Sequence, residues 1–164
     1  ASGAFVTAWG SQGTGDGQFA NPGGIDLDGA GNIYVADSGN NRVVKLSSSG
    51  AFVAAWGSQG AGNGQFSNPR SIALDAQLNI YVADRNNHRI VELSPAGAFL
   101  AAWGSQGTGD SQFQFPQGVT LSRAGTIYVS DSNNNRIMIG ASPRAAVVAP
   151  RLRLVLEQAA PPAP

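Results

Sequence analysis

The sequence predicts an all-β fold made of repeated units, and three observations support this. Tryptophan recurs at a spacing of 47 residues, at Trp9, Trp56 and Trp103, with nothing inserted or lost between them. The 22 glycines among 164 residues suit short strands joined by many turns. No helical periodicity of apolar residues appears before residue 140. A fixed period of this length indicates a repeat architecture.

Each repeat contains four segments typical of short antiparallel strands. In the first complete unit these are strand A (25–27), strand B (32–36), strand C (42–46) and strand D (51–56). Turn clusters rich in Gly, Asn, Asp and Ser separate them. Aligning residues 10–56 with 57–103 gives 30 identities in 47 positions. Four short strands in a unit of this length predict one blade of a β-propeller.

The unit resembles the NHL-repeat family in several motifs that recur in register. They are GDGQF at 15–19, NP at 21–22, GNIYVAD at 31–37 and NRV at 41–43, with their equivalents downstream. The resemblance covers roughly residues 4–140 and implies a propeller, which in this family commonly has six blades. It implies no single activity, because propellers carry many functions.

Three blades' worth of strands are predicted over residues 1–140, in repeats at about 10–56, 57–103 and 104–140. Residues 4–9 are expected to form an orphan outer strand, separated from its blade. Three blades are too few to close a ring, so two alternatives remain. Two chains could form a six-bladed ring as a homodimer, with residues 4–9 of each completing the last blade of the other in a domain-swap-like closure. Alternatively, the chain is a fragment of a longer protein, or a design.

The tail at 141–164 is rich in Pro and Ala. Its alternating Arg and Leu residues predict a short strand at 151–156, which could replace strand D of the third blade. A short helix or a linker is the alternative, because prolines flank the segment.

Composition argues against several classes of function. Charged residues make up 12% of the chain and the net charge is zero, so no concentrated basic footprint supports binding driven by phosphate neutralisation. The chain has no cysteine, which removes disulfides, thiolate zinc sites and cysteine nucleophiles. No apolar run approaches membrane-spanning length, so no membrane partner is expected. The cellular location stays open.

An acidic and a basic residue flank the turn between strands B and C in every repeat. We expect the aspartate to cap its own turn and the arginine to pair with it or with the neighbouring blade. The alternative is a ring of charges that grips an anionic ligand, but identical residues in every repeat favour a structural role. The residues are Asp37, Asp84, Asp131, Arg42, Arg89 and Arg136.

An enzyme is not expected, and neither is a metal or another cofactor. Each Gly-rich crossing between repeats offers one carboxylate at most, too few for a calcium loop. His88 is the only histidine, so the histidine set of zinc-dependent lyase relatives is missing. Asp26 is the one acidic residue on a predicted inner strand, where the other repeats have Ala73 and Thr120. It is therefore a candidate for lining the central channel.

The repeats differ on the face that carries the D–A and B–C connections. There the second repeat gains Arg70, Arg85 and His88, which form a small basic patch. Tyr and Trp lie within strands, so no aromatic ring is expected in these turns. The leading hypothesis is a non-catalytic binding or scaffolding module that presents this face to a protein, peptide or glycan. Single-stranded RNA binding through the patch is the alternative, and a metal-dependent hydrolase or lyase is a weaker one.

Overall fold

The computed structural model describes residues 3–142, which form three antiparallel sheets arranged as successive blades. Blade 1 contains β1 (Pro22–Leu27), β2 (Ile33–Asp37), β3 (Arg42–Leu46) and β4 (Phe52–Trp56). Blade 2 contains β5 (Pro69–Leu74), β6 (Ile80–Asp84), β7 (Arg89–Leu93) and β8 (Phe99–Trp103). Blade 3 contains β9 (Pro116–Leu121), β10 (Thr126–Asp131) and β11 (Arg136–Ala141). The fold is all-β and forms part of a propeller, as the sequence predicts.

Short turns with local hydrogen bonds set the strand register. In the turn between β1 and β2, the Asp28 carboxylate accepts bonds from the backbone N–H groups of Ala30 and Asn32, and from the side-chain amide of Asn32. These bonds lower the pKa of Asp28, chiefly through the Asn32 side chain. The connection between the second and third strands of each blade is one turn of 3-10 helix, at Ser38–Asn40, Arg85–Asn87 and Ser132–Asn134.

Two apolar cores lie between the blades. The first strands β1, β5 and β9 lie beside one another, so the blades stack face to face. Tyr34 and Val43 of blade 1 pack against blade 2, together with Phe66, Ile72, Ile80, Val82, Val91 and Leu93. The second core repeats this arrangement one blade later, with Tyr81, Ile90, Phe113, Val119, Ile127 and Val129. Each interface is thus built from equivalent positions of successive repeats.

Residues 4–9, predicted as an outer strand, form no strand in the described chain. A strand needs a neighbour that pairs with its backbone hydrogen-bonding groups. The strand with an unpaired edge, β11, lies in blade 3, at the opposite end of the row of blades from residues 4–9. The tail strand predicted at 151–156 lies outside the described residues. Within residues 3–142, no helix is long and apolar enough to cross a membrane.

Candidate functional site

The candidate site lies at the end of the sheets where the connection between blades meets the turn after the second strand. In blade 2, Pro69 pairs with Asp84, and Asp84 pairs with Arg89. The residues that begin the first strand therefore lie beside those that flank the 3-10 turn. This end of blades 2 and 3 carries three of the four candidate ligand-binding residues.

The aspartates that precede the 3-10 turns are fully buried and anchor the loop that enters their blade. In blade 2, Asp84 Oδ1 accepts from the Ser67 N–H at 2.7 Å. Its Oδ2 accepts from Asn87 Nδ2 and Arg89 Nε, each at 2.8 Å. The same three contacts recur around Asp37 and Asp131.

The paired arginines bind the Gly-rich crossing between blades. Besides Asp84, the Arg89 guanidinium donates to the carbonyls of Ala61, Gly62 and Gln65 at 2.6 to 3.1 Å. Arg42 and Arg136 make the equivalent bonds to their own crossings. Four of five guanidinium donors are thus engaged within the protein. This geometry suits a structural role for the repeated charges.

The pKa values of two of these aspartates shift in opposite directions: burial raises the pKa of Asp84 despite its hydrogen bonds, whereas the pKa of Asp131 is lowered. Burial alone would raise its pKa, but hydrogen bonds from Gln114, Asn134 and Arg136 outweigh burial, and the pKa lies below the usual aspartate value. The stability from this carboxylate is present above the pKa of an unfolded aspartate. It is lost as the pH falls through the lower pKa of the folded state.

A second cluster occurs once, at the junction of blades 2 and 3, and we call it the junction cluster. It consists of Arg85, His88 and Phe115. The Arg85 guanidinium lies over the Phe115 ring, 4.8 Å from its centroid. The His88 ring centroid lies 4.5 Å from that of Phe115, and His88 Nδ1 accepts the Phe115 N–H at 3.2 Å. Because Nδ1 accepts, a neutral His88 carries its proton on Nε2.

The junction cluster replaces a pair of asparagines. At the junction of blades 1 and 2 the equivalent residues are Asn41 and Asn68, and the Asn68 N–H donates to Asn41 Oδ1 at 2.8 Å. All four residues have left-handed backbones, with φ near +54° for His88 and +53° for Phe115. Asparagine tolerates this region, whereas a bulky aromatic residue rarely adopts it. Phe115 therefore occupies a strained position at the one junction where its ring meets a cation.

The expectation that no aromatic ring lies in these turns was wrong. It rested on Tyr and Trp, which lie in strands, and overlooked phenylalanine. The signal was available at the repeat offset, where Asn21 and Asn68 are replaced by Phe115. The contact of Phe115 with Arg85 and His88 could not be predicted from the sequence, because those two side chains come from a different turn.

The other two candidate residues lie outside the junction cluster. Arg70 occupies the bulge of β5 between Pro69 and Ser71, opposite the end of β6. The Asp26 carboxylate accepts from its neighbour Leu27 N–H and, across the blades, from Leu74 N–H, each at 2.8 Å. Asp26 thus ties β1 to β5 and is engaged in joining two blades. Across residues 3–142, no three His, Asp or Glu side chains are grouped so that they could hold a metal ion.

Family comparison identifies the repeats. The NHL repeat model matches residues 19–46, 66–93 and 113–139, which together make up half of the chain. The chain belongs to the NHL-repeat family, and the predicted family is confirmed. A search of curated protein sequences finds no match.

Solved structures of similar fold are larger proteins with low sequence identity. A virginiamycin B lyase from Staphylococcus aureus is 17% identical, with a TM-score of 0.53 over 74% of this chain and 41% of its own. An auxiliary nutrient binding protein from Bacteroides thetaiotaomicron is 19% identical, with a TM-score of 0.57 over 71% and 36%. A chain of a nidogen/laminin complex is 21% identical, with a TM-score of 0.57 over 75% of this chain and 44% of its own. The chain spans less than half of each, and these likenesses concern the fold alone.

Proposed function

We propose that this chain is a non-catalytic binding module whose junction cluster recognises an acidic segment of a protein or peptide partner. The observation that carries the proposal is the difference between two arginines of blade 2. Arg89 places its donors on protein carbonyls. Within residues 3–142, the Arg85 guanidinium makes one hydrogen bond, to Asn86 Oδ1 at 2.8 Å. Its remaining donors are available to a ligand.

The packing of Arg85 supports recognition of a carboxylate. The Phe115 ring under the guanidinium restricts the side chain, which reduces the entropy lost on binding. A guanidinium presents a planar fork of donors that matches a carboxylate with two parallel bonds. His88 adds a donor at Nε2 beside it. Cation and aromatic side chains of this kind are enriched at the centres of protein interfaces.

Binding is favoured over catalysis because the one imidazole of the cluster is held as a hydrogen-bond donor. His88 Nδ1 accepts the Phe115 N–H, so a neutral imidazole carries its proton on Nε2 and has no free basic nitrogen to activate a nucleophile. The fold also suits a binding surface, since a blade end gathers loops from neighbouring repeats. A chain of similar fold occurs in the nidogen/laminin complex, where it is part of a protein–protein assembly.

The test compares the natural junction with one rebuilt from the protein's own first repeat. The variant Arg85→Ser/His88→Asn/Phe115→Asn carries the residues found at 38, 41 and 68, which fold in the same backbone conformation. The control Arg123→Ser removes one exposed cation from the turn between β9 and β10, at the other end of blade 3. Fluorescence anisotropy measures binding of Glu- and Asp-rich peptides and of the same peptides with Gln and Asn.

We expect the natural chain and the Arg123→Ser control to bind the acidic peptides, and the triple variant to bind at least about tenfold more weakly. The amide peptides should bind weakly to every variant. If no acidic peptide binds, or if the triple variant binds as well as the natural chain, the proposal fails.

Single-stranded RNA is a second candidate, which Phe115 favours because RNA-binding surfaces combine aromatic rings with cations. A single-stranded oligouridine is included in the same assay. RNA binding would require affinity that falls steeply with added salt and that is lost in the triple variant. Oligouridine binding without acidic-peptide binding would replace the peptide proposal with this one.

A further inference from the structure

The two ends of the row of blades expose apolar side chains that are buried elsewhere. On blade 1, Ile25 is 62% exposed, whereas its equivalents Ile72 and Val119 are 4% and 6% exposed. On blade 3, Ile137 is 62% exposed, whereas its equivalent Ile90 is fully buried. Leu27, Tyr128 and Ile139 are also exposed at these ends. Apolar surface of this kind marks a site of association.

The exposed end of blade 3 contains an apolar hollow of about 210 Å³. Four lining residues, Thr120, Tyr128, Ser130 and Ile137, correspond by the 47-residue offset to four residues of blade 2. Those equivalents are Ala73, Tyr81, Ala83 and Ile90, and they form the core against blade 3. The hollow is therefore the surface of blade 3 against which a following blade would pack, and in the described chain no blade packs there.

Blade 1 carries the matching half. The residues that blade 3 packs against blade 2 are Phe113, Val119, Ile127 and Val129. Their equivalents two repeats earlier are Phe19, Ile25, Ile33 and Val35. All four keep apolar side chains, so the open face of blade 1 has the chemistry that the hollow of blade 3 accommodates.

Blade 3 lacks a fourth strand in the described chain, and residues 4–9 have the sequence of one. In blades 1 and 2 the third strand pairs with a fourth, whereas β11 has β10 on one side only in the described chain. Residues 4–9 read AFVTAW and the outer strand segment 51–56 reads AFVAAW. Phe5 and Val6 are 82% and 89% exposed. The chain thus carries a fourth-strand sequence, at the end opposite to the blade that needs one.

Trp9 shows that this segment lies where the outer strand of a preceding blade would lie, although it forms no strand in the single chain. A Cβ atom built on Gly50 would lie 2.4 Å from the Trp9 indole, and one on Gly97 would lie 2.0 Å from the Trp56 indole. Trp9 therefore contacts blade 1 as Trp56 of blade 1 contacts blade 2. Residues 4–9 occupy the border of blade 1 where the preceding blade would lie.

We propose that this preceding blade is blade 3 of a second copy of the chain, with residues 4–9 of each copy forming the fourth strand of the other's blade 3. The register follows from blade 1, where Val43 pairs with Trp56 and Lys45 with Ala54. By the repeat offset, Ile137 pairs with Trp9 of the second copy, and Ile139 pairs with Thr7. Tyr128 then meets the second copy's Trp9 as Tyr81 meets Trp103, edge to face with centroids 6.2 Å apart.

Two copies are the smallest assembly that leaves neither end exposed. The contact joins unlike ends, so it generates either a closed ring or an open polymer. Other occupants of the same surfaces are the segment 143–164 and further repeats of a longer chain. Both differ from a second copy in the experiments below, because neither makes two copies of this chain associate.

The first experiment measures mass in solution by light scattering on a sizing column. We expect the natural chain to have twice its mass of 16.8 kDa. Ile25→Asp and Ile137→Asp should each give a folded monomer, because both side chains are exposed in the single chain and a buried carboxylate would oppose docking. Val53→Asp, at a 50% exposed site on β4, is the matched control and should stay dimeric.

The second experiment tests the register with cysteines, of which the chain has none. Thr7→Cys/Ile139→Cys places two cysteines directly opposite each other across copies, within disulfide reach. Thr7→Cys/Ile137→Cys is displaced by two residues on the same face and serves as control. Mild oxidation should give a covalent dimer with the first pair and little with the second.

Several outcomes would overturn the proposal. They are a monomer at every concentration, an open polymer, a dimer that survives both aspartate substitutions, and equal cross-linking by the two cysteine pairs. These results leave the junction cluster proposal standing, since that cluster lies at the internal junction of blades 2 and 3 and binds its ligand whether or not the ends associate.

Discussion

Arg85 and Arg89 lie four residues apart in blade 2 and contribute to the protein in two different ways. Arg89 is repeated in every unit, and its guanidinium donors go to one carboxylate of its own blade and three carbonyls of the crossing that precedes it. Arg85 occurs once, lies over the Phe115 ring and makes one hydrogen bond within the described residues. The arginine that recurs in every repeat therefore makes structural contacts, whereas the arginine found in one repeat keeps hydrogen-bond donors available to a ligand.

Replacing Arg89 with alanine should lower the free energy of unfolding by about 3 kcal/mol, because it leaves the buried Asp84 carboxylate without its counter-charge. Arg136→Ala should cost less, since the Arg136 side chain is 29% exposed against 13% for Arg89. Urea denaturation of the two variants measures both. Equal losses, or no loss for Arg89→Ala, would contradict this account.

The contact between Arg85 and Phe115 should be measurable as a coupling energy. We expect a double-mutant cycle of Arg85→Ser and Phe115→Asn to give about 0.5–1 kcal/mol in unfolding free energy, the range for an exposed cation over an aromatic ring. The same cycle with Arg123→Ser in place of Arg85→Ser is the control and should give none. A coupling near zero for Arg85 would mean that the ring does not hold the guanidinium.

At the level of elements, Trp9 and Trp56 each pack against a glycine of the blade that follows them. Gly50 and Gly97 lie in the turns before β4 and β8, with φ near +80°. The indole of the preceding repeat's tryptophan occupies the space where a side chain would begin. Glycine is therefore needed at both positions for two reasons: the backbone has a positive φ, and the indole leaves no room for a Cβ atom.

Gly97→Ala should cost more stability than Gly125→Ala, although both glycines have φ of +80°. The added methyl at Gly97 would overlap the Trp56 indole, whereas nothing lies within 4 Å of a Cβ at Gly125. We expect about 1 kcal/mol for Gly125→Ala from the left-handed backbone alone, and at least about 2 kcal/mol for Gly97→Ala. Thermal denaturation with tryptophan fluorescence distinguishes them, and equal losses would show that the indole moves freely.

In the molecule as a whole, stability should be graded from the middle blade to the ends. Blade 2 has a core on each side, whereas blades 1 and 3 each have one. In the monomeric variant Ile137→Asp, we expect amide hydrogens of β6 and β7 to exchange slowest and those of β1 and β11 fastest. In the natural chain, association should slow exchange in β1 and β11. Uniform protection in the monomeric variant would contradict this gradient.

The repeat offset allowed most of the fold to be predicted. Strand C at 42–46 was predicted with its observed bounds, and the other strands of the complete blades to within a few residues, because alternating apolar residues and turn residues are local signals. Residues 4–9, predicted as an orphan outer strand, form no strand in the single described chain, and their pairing with a second copy stays a prediction. Their sequence is that of an outer strand, but a strand forms only when a neighbour supplies hydrogen-bond partners, and the described chain provides none there.

The candidate site was predicted less well. Arg85 and His88 were singled out because they depart from the repeat, and the structure brings them together. Phe115 was missed, and Asp26 proved to join two inner strands.

The blade, its four-strand pattern and the identical charges at each 3-10 turn follow from the sequence alone, since they depend on residues close together in the chain and repeated three times. The grouping of Arg85 and His88 with Phe115, 27 residues further along, and the two unmatched apolar ends are decided by the tertiary structure. They depend on how neighbouring blades stack, and the contact of Phe115 with Arg85 and His88 occurs at one junction only, so no other repeat predicts it.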